Sequence, residues 1–157
     1  MNGKYKKFNK TSFDKNDSPA RKCAIKHLPS IMKAAKPETY GEIKIVENED
    51  KYGPDLLCFN DDNLIGYFEP EVKRVWSSAK FPYQDLQIPE RKRKWAKGHK
   101  GLPVTFCVLN KSLTQMATVS SLHKHVSTLQ EVPNKEIASG ELFFKVPLTA
   151  VKFHKLK

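Results

Sequence analysis

The chain is short of several things, and each shortage closes off a class of function. It has no glycine-rich loop of the kind that wraps a nucleotide phosphate, which argues against a P-loop enzyme. No Ser-His-Asp arrangement, internal repeat or domain linker stands out. Apolar runs are short; one of the longest, Leu102–Leu109, is too short to cross a bilayer. Met1–Lys10 is charged and lacks the apolar stretch a secretory signal carries. The three cysteines (Cys23, Cys58, Cys107) are odd in number, widely spaced and without a Cys-x-x-Cys pair, which points to reduced thiols in a cytoplasmic compartment. Acid is also scarce, with 17 Asp and Glu against 28 Lys and Arg in 157 residues.

The net charge of +11 is unevenly spread. Residues 1–36 carry +8, residues 37–71 carry −8, residues 72–100 carry +7, and the remainder +4. A protein that only coats a polyanion has little reason to gather ten carboxylates in one segment, because each repels phosphate. A protein that sets metal ions against a phosphodiester does have one. A solvated acidic loop around Glu47–Lys51 is the plainer explanation for part of that segment.

In chain order, residues 1–16 read as a disordered basic arm, and 17–157 as a single domain of ordinary size. Asp17-Ser18-Pro19 predicts a capped helix start, and apolar residues then recur every three or four positions to Ala35. Pro29 should kink or split that helix. Cys23 and His27 lie one turn apart on it, but a cysteine on that face belongs more naturally to the core. Glu42–Glu47 alternates like a strand. Two further strands should flank the polar turn Asp61-Asp62-Asn63, with Asp55 near the start of the first. On the second, Glu71 and Lys73 leave the same face. Pro70 interrupts it, which suggests a bulge near Glu69-Pro70.

Ser77–Pro89 reads as a loop. Pro89–Lys97 reads as a basic helix ended by Gly98. Its cations Arg91, Lys92, Arg93, Lys94 and Lys97, with Arg74 and the aromatic rings of Trp76, Phe81, Tyr83 and Trp95 nearby, have the look of a nucleic-acid contact surface. Leu102–Leu109 reads as a buried strand, Gln115–His125 as a strand or short helix, and Glu141–Val146 and Ala150–Phe153 as strands separated by Pro147. His123 and His125 could share one face but lack a third partner. The expected class is α/β, a mixed central sheet flanked by helices.

Pro54-Asp55, fifteen residues, then Glu71-Val72-Lys73 resembles the signature of the PD-(D/E)xK nucleases, a superfamily that includes Holliday-junction resolvases and many restriction enzymes. The resemblance covers roughly residues 18–110. It implies a restriction-endonuclease-like core and Mg²⁺- or Mn²⁺-dependent hydrolysis of DNA, with RNA as an alternative substrate. It also implies metal ligation by Asp55, Glu71 and the Val72 carbonyl, with Lys73 beside the attacking water. The first helix lacks an internal acid, so Glu69, Glu42 and Glu47 are the candidates for a further carboxylate. With no base-reading module in view, recognition of DNA structure is expected over recognition of sequence. A homodimer would suit paired cuts, and no membrane association is expected. The rival readings are a non-catalytic nucleic-acid-binding protein of the same fold and a basic structural or assembly protein.

Overall fold

Two aspartates close the central hairpin. Asp61 and Asp62 take φ of 46° and 68°, the left-handed pair that a two-residue turn needs if its twist is to match the flanking strands. They join β2 (Leu56–Asn60) to β3 (Asn63–Lys73), with Asn60 opposite Asn63. Asp61 also ties in β1 (Ile43–Glu47): its N–H donates to the Glu42 carbonyl at 2.9 Å, and its carboxylate accepts the Glu42 N–H at 2.8 Å. This computed structural model describes residues 17–120, 129–134 and 137–157. The basic arm 1–16 and the pair His123 and His125 lie outside the described residues.

The main sheet has six strands in the order β1-β2-β3-β5-β6-β9, where β5 is Val104–Asn110, β6 is Gln115–Val119 and β9 is Lys152–Lys155. All neighbours are antiparallel except β3 and β5, which run parallel from Tyr67 opposite Val104 to Lys73 opposite Asn110. A parallel pair needs a long crossover. Residues 74–103 supply it, and they carry β4 (Asp85–Pro89) and a 3₁₀ segment, Glu90–Trp95. β4 joins β8 (Ile137–Pro147) and β7 (Leu129–Asn134) in a second, antiparallel sheet of order β4-β8-β7.

Apolar side chains leave both faces of the six-stranded sheet, so both are covered. On one side, helix α1 (Ser18–Ala35) buries Ala20, Cys23, Ala24 and Leu28 against Ile45, Leu56, Phe68, Leu109 and Met116. On the other, Tyr67, Phe106, Val108 and Ala117 meet Leu86 and Ile88 of β4 and Phe144 and Val146 of β8, together with Trp76 and Trp95. The three cysteines are buried free thiols, and burial pushes Cys58 up to about 11. No described helix is long and apolar enough to cross a membrane.

The mixed α/β sheet agrees with the expectation from sequence, and several details do not. α1 runs unbroken through Pro29, because the apolar stripe on both sides of the proline is held against the sheet. Pro89–Lys97 is not an α-helix; only Glu90–Trp95 is helical, as 3₁₀, and Gly98 at φ 106° ends the turn. The predicted loop Ser77–Pro89 contains β4, whose partner β8 lies far along the chain. Pro147 is the last residue of β8, opposite Asp85, and so does divide it from β9, while Ala150 belongs to the 3₁₀ turn between the two strands.

The predicted bulge near Glu69-Pro70 is absent. β3 pairs without a break through both residues with Phe106 and Cys107 of β5, and Pro70 is tolerated because β2 has already ended, its last partner being Leu56 opposite Phe68. The register shift falls earlier. Phe59 faces Leu64 while Cys58 faces Gly66, leaving Ile65 as the extra residue. Carried one step past Leu56, that shifted register sets Asp55 across from Glu69.

Candidate active site

The site forms just before the first residue of β2, where β3 runs on past it. The Asp55 N–H, which has no further strand partner, donates to Oε1 of Glu69 at 2.9 Å. Oε2 of Glu69 takes the Lys92 ammonium at 2.5 Å. The Glu69 side chain is only 1% exposed and that of Lys92 18%, so this is a buried ion pair. Strand alternation puts Tyr67, Glu69 and Glu71 on the sheet face turned towards the second sheet, which is where the 3₁₀ segment delivers Lys92.

α1 closes the other side. Arg21 Nη2 donates to Oδ1 of Asp55 at 2.8 Å, while its Nη1 lies 3.8 Å from Glu47 at the exposed rim. Asp17 makes no side-chain cap for α1 and itself has helical φ and ψ, contrary to the expectation of a capping aspartate. Its carboxylate belongs electrostatically to this cluster. Burial raises its pKa, and Asp55 and Glu71 raise it further, against the opposing pull of Lys92 and Arg21.

The remaining shifts describe one network. Burial raises the Glu69 carboxyl, with Asp55 adding to it and Lys92 opposing. For Lys92, burial works against the charged form, but Glu69, Glu71 and Asp55 together outweigh it and its pKa is raised. Lys92 is therefore held as an ammonium by Glu69 and Glu71 of β3 and by Asp55 just before the start of β2.

The residues singled out in the sequence are distributed as follows. Asp55, Glu69 and Glu71 share the site. Lys73 ends β3 on the same face, with its ammonium 5.7 Å from the centroid of the Tyr83 ring. Val72 points the other way and packs, partly buried, against the α1-side core. Glu42 is exposed, and its N–H serves the turn at Asp61. Among the basic residues, Lys92 points inward; Arg93 pairs with Glu90 at 3.3 Å and lies over Phe144; Lys94 lies 4.3 Å from the Trp95 ring centroid. Arg74 and Lys97 are exposed, and Arg91 is half-buried.

Sequence reasoning missed three participants. Asp17 was read only as a cap, although it is the one acid at the head of α1. Arg21 lies on the polar, basic face of α1 with Lys22, Lys26 and Lys33, and nothing local sets it apart from them. Lys92 was one of five cations in seven residues, and nothing local distinguishes the one that turns inward.

The donor set is all carboxylate oxygen, which suits a hard divalent cation. Among the described residues, no three Asp, Glu, His or Cys side chains lie close enough to hold one ion in this arrangement. Arg21 and Lys92 engage the acids directly. Two carboxylates with water completing the shell are enough for Mg²⁺, so the residues present fit such an ion in kind, with Asp55 and one of Glu69 or Glu71 as its holders. No protein-family model, curated protein or solved structure matches this chain.

Proposed function

We propose that this protein is a small metal-dependent endonuclease of the PD-(D/E)xK type, built on a restriction-endonuclease-like core and hydrolysing phosphodiester bonds in DNA. The observation that carries the reading is the convergence of Asp55 with Glu69 and Glu71 beside the buried ammonium of Lys92. A helix, three antiparallel strands and a fourth strand parallel to the third supply a scaffold consistent with it.

Bound Mg²⁺ or Mn²⁺ supplies polarisation of the phosphoryl oxygen and activation of a water. The chain's own residues do the rest. Asp55 and the β3 carboxylates would hold the ion, and Arg21 fixes the direction of the Asp55 carboxylate. Lys92, held protonated, presents a fixed positive charge where negative charge builds on the phosphate, in a site that excludes much of the water. Lys92 thereby takes the part that the sequence pattern assigned to Lys73. The basic flanks on either side of the acidic segment draw in the polyanion. Recognition by DNA shape, and a dimer that pairs two cuts, both belong to this reading.

The test is nicking of supercoiled plasmid with Mg²⁺ or Mn²⁺. Asp55→Asn and Glu69→Gln should each lower cleavage by about 100-fold or more, the usual cost of removing a group that stabilises a charged transition state. DNA binding should be unchanged or tighter, because carboxylate–phosphate repulsion is relieved. Full cleavage by both variants would remove the reading.

A further inference from the structure

Resting on the nuclease reading and extending it to substrate class, we propose that the far end of β3 carries a stacking platform for unpaired nucleobases, formed by Tyr83 and Phe153. Of the four aromatic residues that stand out near the basic run in the sequence, Trp76 and Trp95 are 0% and 7% exposed, so neither offers a face to a ligand. Tyr83 is 44% exposed, and Phe153, far away in the sequence, is 42% exposed. Phe81 joins them: its ring lies 6.0 Å from Tyr83 and 5.7 Å from Phe153, centroid to centroid. Trp76 supports the group edge-on from below, 5.1 Å from Phe81 and 6.0 Å from Phe153.

Large apolar side chains exposed together at a surface mark a contact site, and the charge around these says what kind. Residues 72–84 contain Lys73, Arg74 and Lys80 and no acid. Lys73 lies over the Tyr83 ring, and Lys152 and Lys155 flank Phe153 on β9 with their side chains exposed. Rings held by their neighbours, interleaved with cations, suit a chain of flat bases on a phosphate backbone, because every base has a face to stack and every phosphate a charge to meet. Paired bases inside a duplex have no free face. The platform therefore selects single strands, flaps, or the open centres of branched nucleic acid. It lies on the same face of the six-stranded sheet as Glu69 and Glu71, so an unpaired stretch stacked here would lead the adjoining backbone towards the acids.

The experiment measures binding in EDTA, where no cleavage occurs. A thymidine oligonucleotide of about 20 nucleotides, its uridine counterpart and a blunt duplex of equal length are compared by fluorescence anisotropy. Tyr83→Leu with Phe153→Leu keeps apolar packing on Phe81 but removes the stacking faces. It should weaken single-strand binding by about 10- to 100-fold and duplex binding by less than about twofold, and the salt dependence should be retained because the cations remain. Tyr83→Trp with Phe153→Trp should restore single-strand affinity. Ultraviolet crosslinking of the thymidine probe to the unaltered protein should fall on the peptides holding Tyr83 or Phe153, a readout independent of how the variants fold. Equal losses on both nucleic acids, no loss, or crosslinks confined to other peptides would overturn the platform. So would sedimentation showing a dimer that the leucine variant breaks, since the patch would then be a self-interface. Because binding is read without metal and plasmid nicking reads the acids, each proposal can fail while the other stands.

Discussion

Glu69 and Lys73 leave the same face of the same strand, yet their surroundings are opposite. Around Glu69 the acids are folded inward, and two of them are met directly by a cation, Glu69 by Lys92 and Asp55 by Arg21. Around Lys73 the cation lies over an aromatic ring, and Val75, Tyr83 and Phe153 stand 58%, 44% and 42% exposed. The backbone is regular throughout, so strand geometry is not the cause. What differs is the cover. The 3₁₀ segment after β4 lies over Glu69 and supplies its partner, while the chain beyond Lys73 turns at Trp76 and leaves the rings at the surface. One strand face can thus carry a charged, water-poor site and an aromatic, wet one within a few residues.

The sharpest way to break this contrast is to take the cation from the covered end. Lys92→Met should destabilise the fold by about 3–5 kcal/mol in urea titrations, because it leaves Glu69 buried without its counter-charge. Lys92→Met combined with Glu69→Leu should recover most of that loss. A single Lys92 variant as stable as the parent would mean that Glu69 is not held in the way described.

Next in size is the division of labour between the two lysines. Lys92→Ala should cut plasmid nicking by about 100-fold or more, beyond what its lost stability explains at a temperature where it remains folded. Lys73→Ala should cost less than about 10-fold, mainly through weaker DNA binding. The reverse order would return the catalytic cation to the position suggested by the sequence pattern.

The smallest effect concerns pH, to which the two ends of the sheet should respond in opposite senses. The raised carboxyls of Asp17 and Glu69 contribute stability that is complete below their unfolded values and is lost as pH rises through the folded ones. His154, beside Phe153 on β9, is lowered by burial and by Lys152, so its contribution is complete above the unfolded value near 6.5 and is lost as pH falls through the folded one. Its ring nitrogen lies 3.0 Å from the Thr118 hydroxyl. His154→Gln should therefore flatten the fall in urea midpoint between about pH 7 and about pH 5. An unchanged slope would show that His154 does not titrate differently on folding.

What could be read from the sequence was local. The hairpin, β1, α1 and the buried strand β5 announce themselves through turn residues, alternation and helical spacing, each decided within a few neighbours. What stayed hidden depends on distant partners. Asp85–Pro89 looks like a loop because proline ends it, and only β8, some sixty residues on, makes it a strand. Lys92 turns inward because the 3₁₀ path rotates it onto a carboxylate from another element. The choice between Glu69 and Glu71 as the partner of Asp55 could not be made by counting spacers, since it turns on how two strands slide past each other.

That sliding is settled by Ile65. Had the strands kept the phase set at the turn, Asn60 opposite Asn63 and Phe59 opposite Leu64, Asp55 would have met Phe68, and Glu69 would have met Pro54. An aspartate would then face an oily ring and the glutamate a residue with no N–H to give. One surplus amino acid, well away from any charged group, therefore acts like a single added letter in a reading frame. It leaves every acid in place along the chain and decides which of them ever meet.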